Sequence, residues 1–105
     1  MPRFRIHRLV DLEFWEALDW YASLSPLAAD NFAFCFDAAL ETIKRRPTSH
    51  APWRTSVRRI RLRPFPYLLI FHAGQRVTSV LALVHERREP GRVFVDLARR
   101  RQDFL

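Results

Sequence analysis

The sequence predicts an α+β domain: an N-terminal strand, a helical hairpin, a three-stranded antiparallel meander and a short C-terminal helix. Three observations support this. Residues 3–8 alternate between apolar and basic side chains, which is the period of a half-buried strand. Two segments with apolar residues at helical spacing follow, and then three strand-like segments separated by turn residues. Because 105 residues suffice for one core, we expect residues 1–105 to form a single domain.

The helical hairpin is predicted from apolar spacing and from capping residues. Apolar residues recur every three or four positions across residues 11–22, which indicates the first helix. Ser25 followed by Pro26 predicts the start of the second helix, because the hydroxyl accepts an orphan amide hydrogen bond and proline has no amide to satisfy. The basic residues 44–46 and then Pro47 predict its end. The short connection makes the two helices antiparallel, packed on one face of the sheet.

Three strands and a final helix are predicted in the second half. After a polar connection at residues 48–56, strands are expected at residues 58–63, 67–72 and 77–85. The last of these is apolar on both faces, which predicts the central strand, and Phe65, Tyr67 and Leu81 are expected in or near the core. The final amphipathic helix is predicted over residues 93–105.

Positive charge is concentrated in the second half of the chain. Residues 1–50 contain six Lys or Arg against seven acids, whereas residues 51–105 contain twelve arginines against four acids, a net charge of +8. Four arginines fall within residues 58–63 with no acid between them. Internal pairing cannot easily stabilise such a run, so it favours binding of an anion or an acidic partner over a solvated sheet face.

Several classes of protein are excluded by what the sequence lacks. The N-terminus has no apolar segment of a secretory signal, and no run approaches the roughly 18 apolar residues of a membrane span. We therefore expect a cytoplasmic protein without membrane contact. The single cysteine, Cys35, lies in an apolar segment and is expected in the core. The histidines lack metal-ligand spacing and there is no glycine-rich phosphate loop, so neither a metal nor a cofactor is expected.

Short strings in a fixed order add a family resemblance to this pattern. The most specific pair is Phe65-Pro66-Tyr67 before an apolar strand and the segment 85–90, which reads His-Glu-Arg-Arg-Glu-Pro, at the end of the next strand. Others, in chain order, are Asp11-Leu12, Trp20-Tyr21, Ala28 with Asp30 and Phe32, Ile43 with Pro47, Arg59, and Leu81-Ala82. Together they resemble the RelE/ParE family of type II toxin–antitoxin toxins. The resemblance implies growth inhibition and neutralisation by a cognate antitoxin.

The resemblance implies one of two targets. RelE-like members are metal-independent endoribonucleases that cut mRNA on the ribosome, where basic residues contact phosphate and a tyrosine near the C-terminus commonly acts as base. ParE-like members are associated with DNA gyrase. If the chain is a nuclease, the catalytic candidates are Arg59, Arg61, His85, Arg87 and Arg88.

The absence of a tyrosine near the C-terminus that could act as base favours the ParE-like, gyrase-directed type. The two tyrosines, Tyr21 and Tyr67, lie far from the C-terminus, and Lys44 is the one lysine. His85 is the remaining candidate base. The alternatives left open are the mRNA endonuclease and a binding module of the same fold without toxicity.

Two structural expectations follow for the basic half. The arginines at positions 59, 61, 87 and 88 should converge in one cluster at the end of the sheet. An extended or helical acidic segment of the antitoxin should cover the basic surface formed by residues 51–105.

Overall fold

The predicted order of elements is confirmed, with one short strand added. The computed structural model describes residues 3–53 and 56–104. The elements are β1 (Arg3–Ile6), α1 (Arg8–Leu24), α2 (Pro26–Arg45), β2 (Pro52–Trp53), β3 (Val57–Arg61), β4 (Tyr67–Ala73), β5 (Val77–His85) and α3 (Pro90–Gln102). None of the helices in these described ranges is both long and apolar enough to cross a membrane.

The five strands form one sheet in the order β1-β5-β4-β3-β2. β1 pairs with β5 in parallel, and all the other neighbours are antiparallel. β5 is an interior strand, but β4 rather than β5 occupies the middle of the sheet. The added strand, β2, lies inside the segment that was expected to be a connection. It was not predicted because two residues are too few to show a strand period in the sequence.

The two helices of the hairpin are joined through one residue. Ser25 ends α1 by donating its backbone N–H to the Tyr21 carbonyl at 3.0 Å, and its hydroxyl accepts from the Ala28 N–H at 3.0 Å to begin α2. α1 begins earlier than predicted, because His7 Nδ1 accepts the Leu9 N–H at 3.1 Å and acts as the N-cap. β1 consequently ends at Ile6.

The hairpin packs on one face of the sheet, as predicted. The core on this side includes Phe32, Ile43, Leu69 and Phe71, each fully buried. Phe65 and Tyr67 are partly buried against it, as expected for near-core residues. Cys35 does not lie in the core: it is half-buried at its margin, where its thiol donates to the Arg63 carbonyl at 3.5 Å.

The opposite face of the sheet is covered by α3, which gives the fold a second core. This core contains Leu81, Val84, Val93 and Leu97. A register shift between β4 and β5 pairs Ile70 with Ala82 and Phe71 with Val80, leaving Leu81 without a partner residue. α3 begins at Pro90, three residues earlier than predicted. Leu105, the predicted end of this helix, lies outside the described residues.

β1 pairs with β5 only as far as Val80. Along the rest of β5, side chains instead of a strand form hydrogen bonds with the backbone at this edge. Beyond that point Glu13 of α1 accepts the Leu83 N–H at 3.1 Å, and Arg100 of α3 donates to the Leu81 carbonyl at 2.9 Å. Arg100 also donates to both carboxylate oxygens of Glu13, at 2.9 and 2.8 Å. This bidentate pair ties both helical layers to the sheet edge.

Candidate functional site

Arginines of β3 and the turn after it line a cleft on the α3 side of the sheet. Arg59 pairs with Ile70 and Arg61 with Leu68, so both side chains point to the face that carries the second core. Arg63, two residues beyond the end of β3, lines the same cleft. With Glu86 from the end of β5, these residues enclose about 340 Å³. We call the set Arg59, Arg61, Arg63, Leu68 and Glu86 the arginine cleft.

The arginine cleft carries surplus positive charge. Arg61 forms an ion pair with Glu86 at 2.8 Å. The Arg59 guanidinium lies 4.6 Å from the centre of the Trp53 ring, a cation–π contact that leaves its charge uncompensated. Within residues 3–53 and 56–104, no carboxylate pairs with Arg59 or Arg63. With three guanidiniums and one carboxylate, the cleft has a formal charge of +2 and is suited to an anion.

The arginines of the β5–α3 turn do not line this cleft. The Arg88 guanidinium forms an ion pair with Asp96 of α3 and lines a second cleft with Arg92. Arg87 is exposed, and its backbone N–H donates to His85 Nδ1 at 3.1 Å. The expected single cluster of four arginines is therefore not what the structure shows, because Asp96 draws Arg88 towards α3. Arg59 and Arg61 do lie together, joined by Arg63.

His85 faces the other side of the sheet from the arginine cleft. It is the direct cross-strand partner of Tyr67, and the two rings meet edge to face with centroids 5.3 Å apart. Tyr67 packs on the hairpin-side core. Directly opposed residues in a sheet share a face, so His85 lies on the hairpin side. The sheet separates the candidate base from Arg59 and Arg61.

Both tyrosines also belong to the hairpin side and hold their protons strongly. Burial raises the pKa of Tyr67 above its usual 10.0, and the nearby Glu16 raises it further. Burial and then Tyr67 itself raise the pKa of Tyr21. A phenol of raised pKa is a poor base near neutral pH. The arginine cleft is thus lined by neither a tyrosine nor a histidine, and Glu86, its carboxylate, is engaged by Arg61.

Sequence reasoning missed two contributors to this region, Glu86 and Trp53, and did not name Arg63 among the candidate site residues. Arg63 shares the period of Arg59 and Arg61, which was a usable signal. Glu86 lies in the string that carried the family resemblance, but its pairing with Arg61 depends on strand register. Trp53 belongs to the two-residue strand, which has no sequence signature. Across the described residues, no three His, Cys, Asp or Glu side chains are grouped so that they could hold a metal ion.

The fold and the cleft together define a class of protein. A helical hairpin covers one face of the sheet, and the other face presents a cleft in which Arg59 and Arg63 have no carboxylate partner among the described residues, an arrangement suited to an anion.

Comparison with known proteins identifies the family. The chain is similar to Toxin ParE2 of Mycobacterium tuberculosis in strains CDC 1551 / Oshkosh and ATCC 25618 / H37Rv. Each is 30% identical over 99 residues, covering 93% of this chain and 94% of the relative. No family model matches the chain. At this identity and coverage the chain belongs to the RelE/ParE family, the toxins of toxin–antitoxin systems.

Proposed function

We propose that this chain is the toxin of a toxin–antitoxin system that arrests growth by inhibiting DNA gyrase and is neutralised by a cognate antitoxin. One observation supports the choice of gyrase as the target: Arg59 and Arg61 lie on one face of the sheet, and His85 and Tyr67 lie on the other. A toxin that inhibits its target by binding needs charge complementarity but no general base. The similarity to proteins named Toxin ParE2 supports the same type.

The arginine cleft is the proposed contact surface for the target. Arg59 and Arg63 have no acid partner within the described ranges, so an acidic or phosphate-bearing surface would gain two charge-assisted contacts without breaking an existing ion pair. Arg61 would have to leave Glu86 or share it. Binding should therefore depend on Arg59 and Arg63 more than on Arg61.

Neutralisation is proposed to use the same surface. An acidic antitoxin segment, extended or helical, would cover the arginine cleft and exclude the target by occupying the same guanidiniums. A hydrogen-exchange footprint of the toxin–antitoxin complex tests this: protection is expected in β3 and the segment after it. Protection confined to residues 1–50 would contradict the proposed surface.

A ribosome-dependent mRNA endonuclease is the second candidate. It is favoured by one observation: three arginines surround a single carboxylate, Glu86, so phosphate-binding groups and a titratable group share the cleft. In that case Arg59, Arg61, Arg87 and Arg88 would contact the mRNA, and no metal would take part. A binding module of the same fold without toxicity would show neither activity.

A supercoiling assay with purified gyrase and purified toxin separates these functions. We expect the wild-type chain to inhibit supercoiling, the Arg59→Gln/Arg63→Gln variant to lose inhibition, and an Arg45→Gln/Arg46→Gln variant to keep it. The control pair lies at the C-terminal end of α2 and removes the same charge. Full supercoiling with the wild type, together with codon-placed cuts in primer extension of cellular mRNA, would instead assign the nuclease function.

A further inference from the structure

A pocket distinct from both clefts described above lies on the α3 side of the sheet, between β1 and the last turns of α3. It encloses about 480 Å³, within the size range of small-ligand sites. Arg5 and Arg101 line it together with His72 and Ser79. Ala98 and Phe104 form an apolar wall, since Leu81, the third apolar residue of the lining, is fully buried. We call it the C-terminal pocket. It shares no lining residue with the arginine cleft.

The two arginines of the C-terminal pocket are held in place by neutral groups. Arg5 Nε donates to the Ser79 hydroxyl at 2.8 Å, and its guanidinium lies 4.0 Å from the centre of the Phe104 ring. Arg101 Nη1 donates to the Ser56 hydroxyl at 2.5 Å. Neither guanidinium pairs with a carboxylate in the part of the chain that the structure describes. Each therefore keeps its full charge and several N–H donors for a ligand.

Asp103, a carboxylate among the described residues at this end of α3, is already engaged. Asp103 Oδ2 lies 2.6 Å from Nε2 of the buried His7, and the His7 ring packs edge-on against Phe104 at 5.5 Å. The C-terminal end of α3 contributes a partial negative charge of about half a unit, which opposes anion binding. Two full positive charges outweigh it.

We propose that the C-terminal pocket binds a nucleotide through its terminal phosphate, with the sugar and base against the apolar wall of Ala98 and Phe104. A terminal phosphate carries a charge of about −1.5 to −2 at pH 7 and presents three acceptor oxygens, which match two guanidiniums with free donors. A carboxylate carries one charge and would leave one arginine uncompensated. The apolar wall excludes inorganic phosphate as the best-fitting ligand, because it would leave that wall uncovered.

His72 provides a direct reporter of this binding. Burial lowers the pKa of His72 below its usual 6.5, and Arg101 and then Arg5 lower it further. Among the described residues that line the pocket, these two arginines are the charged groups that face His72, from α3 and β1 respectively. A bound phosphate would offset their charge and stabilise the imidazolium, so the pKa of His72 should rise on binding.

The test is calorimetry of the intact chain with uridine and adenosine 5′-monophosphates, combined with an NMR titration of His72. We expect the pKa of His72 to lie below 6.5 in the free chain and to be higher in the nucleotide-bound chain. Arg101→Gln should weaken binding about tenfold, because a charge-assisted contact is lost. Arg99→Gln, an exposed change of equal charge on the same helix, should leave affinity within about twofold.

The source of the phosphate is resolved by a short oligonucleotide with and without a 5′-phosphate. Binding of the free mononucleotide indicates a soluble ligand, and binding of the phosphorylated oligonucleotide alone indicates the end of a nucleic-acid strand; both support the proposal. Three results would overturn it: equal weakening in both arginine variants, an unchanged pKa of His72 at saturation, or binding of an acidic dipeptide such as acetyl-Asp-Leu but of no nucleotide. Because the arginine cleft is elsewhere, loss of nucleotide binding in Arg101→Gln should leave gyrase inhibition intact.

Discussion

Replacing Arg100 by alanine should destabilise the protein more than any other arginine substitution in α3. Arg100 is largely buried and makes two hydrogen bonds to Glu13 and one to the Leu81 carbonyl. Its removal leaves the Glu13 carboxylate, which is 17% exposed, with the Leu83 N–H as its remaining partner. It also leaves the Leu81 carbonyl on the open edge of β5 without a donor.

The expected cost follows from what is left unpaired. Breaking a buried ion pair by removing one partner costs about 3–5 kcal/mol, since the other charge remains out of water. Glu13 keeps some exposure and one hydrogen bond, so the lower end, about 3 kcal/mol, applies here. For a domain of about 100 residues this corresponds to a fall in Tm of about 12 °C or more.

Urea unfolding followed by circular dichroism measures this cost directly. Arg99→Ala, one position earlier in α3 and exposed, is the matched control and should change the free energy of unfolding by less than about 0.5 kcal/mol. A double-mutant cycle with Glu13→Ala should give a coupling energy of at least about 1 kcal/mol. Equal losses for Arg100→Ala and Arg99→Ala would refute the reasoning that side chains replace the missing strand at this edge.

Three further predictions test the fold. Leu81→Ala should lower the free energy of unfolding by about 2–5 kcal/mol through a cavity in the second core, whereas Leu12→Ala, on the exposed side of α1, should have little effect in the same urea experiment. Ser25→Ala should cost about 1 kcal/mol, because α2 loses its N-cap; an unchanged midpoint would mean that this cap contributes nothing. Ultraviolet titration should show Tyr21 and Tyr67 ionising above pH 10.0. Because the folded state holds these protons more tightly than the unfolded state, the free energy of unfolding should fall as pH rises beyond 10.0. Ionisation of both tyrosines at or below 10.0 would contradict their burial.

Local signals were sufficient to predict the helices and most strands. Ser25, Pro26 and the basic end of α2 act within a few residues of one another, so their consequences are visible in the sequence. β5 was placed at its observed bounds because its nine residues carry a long apolar run. β2 was missed because it is defined by pairing with β3 and not by its own pattern. The apolar run of β5 predicts burial on both faces, but its covering by α3 was not anticipated, since that depends on tertiary packing.

The site was predicted less completely than the fold, because register decides which side chains meet. The period of residues 59, 61 and 63 placed three arginines on one face. The sequence could not show that His85 points to the opposite face, since that follows from its pairing with Tyr67. Nor could it show that Arg88 is drawn to Asp96 or Arg61 to Glu86, because both pairs join separate elements.

Growth after induced expression without antitoxin tests the central claim most directly, namely that the arginine cleft is the toxic surface. At matched levels of folded protein, the wild type and the Arg45→Gln/Arg46→Gln control should both arrest growth, and co-expression of the antitoxin should restore it. The Arg59→Gln/Arg63→Gln variant should allow growth, because it removes the two guanidiniums of the cleft that have no acid partner among the described residues. Full growth arrest by that variant would contradict the account and move the toxic surface to the helical hairpin.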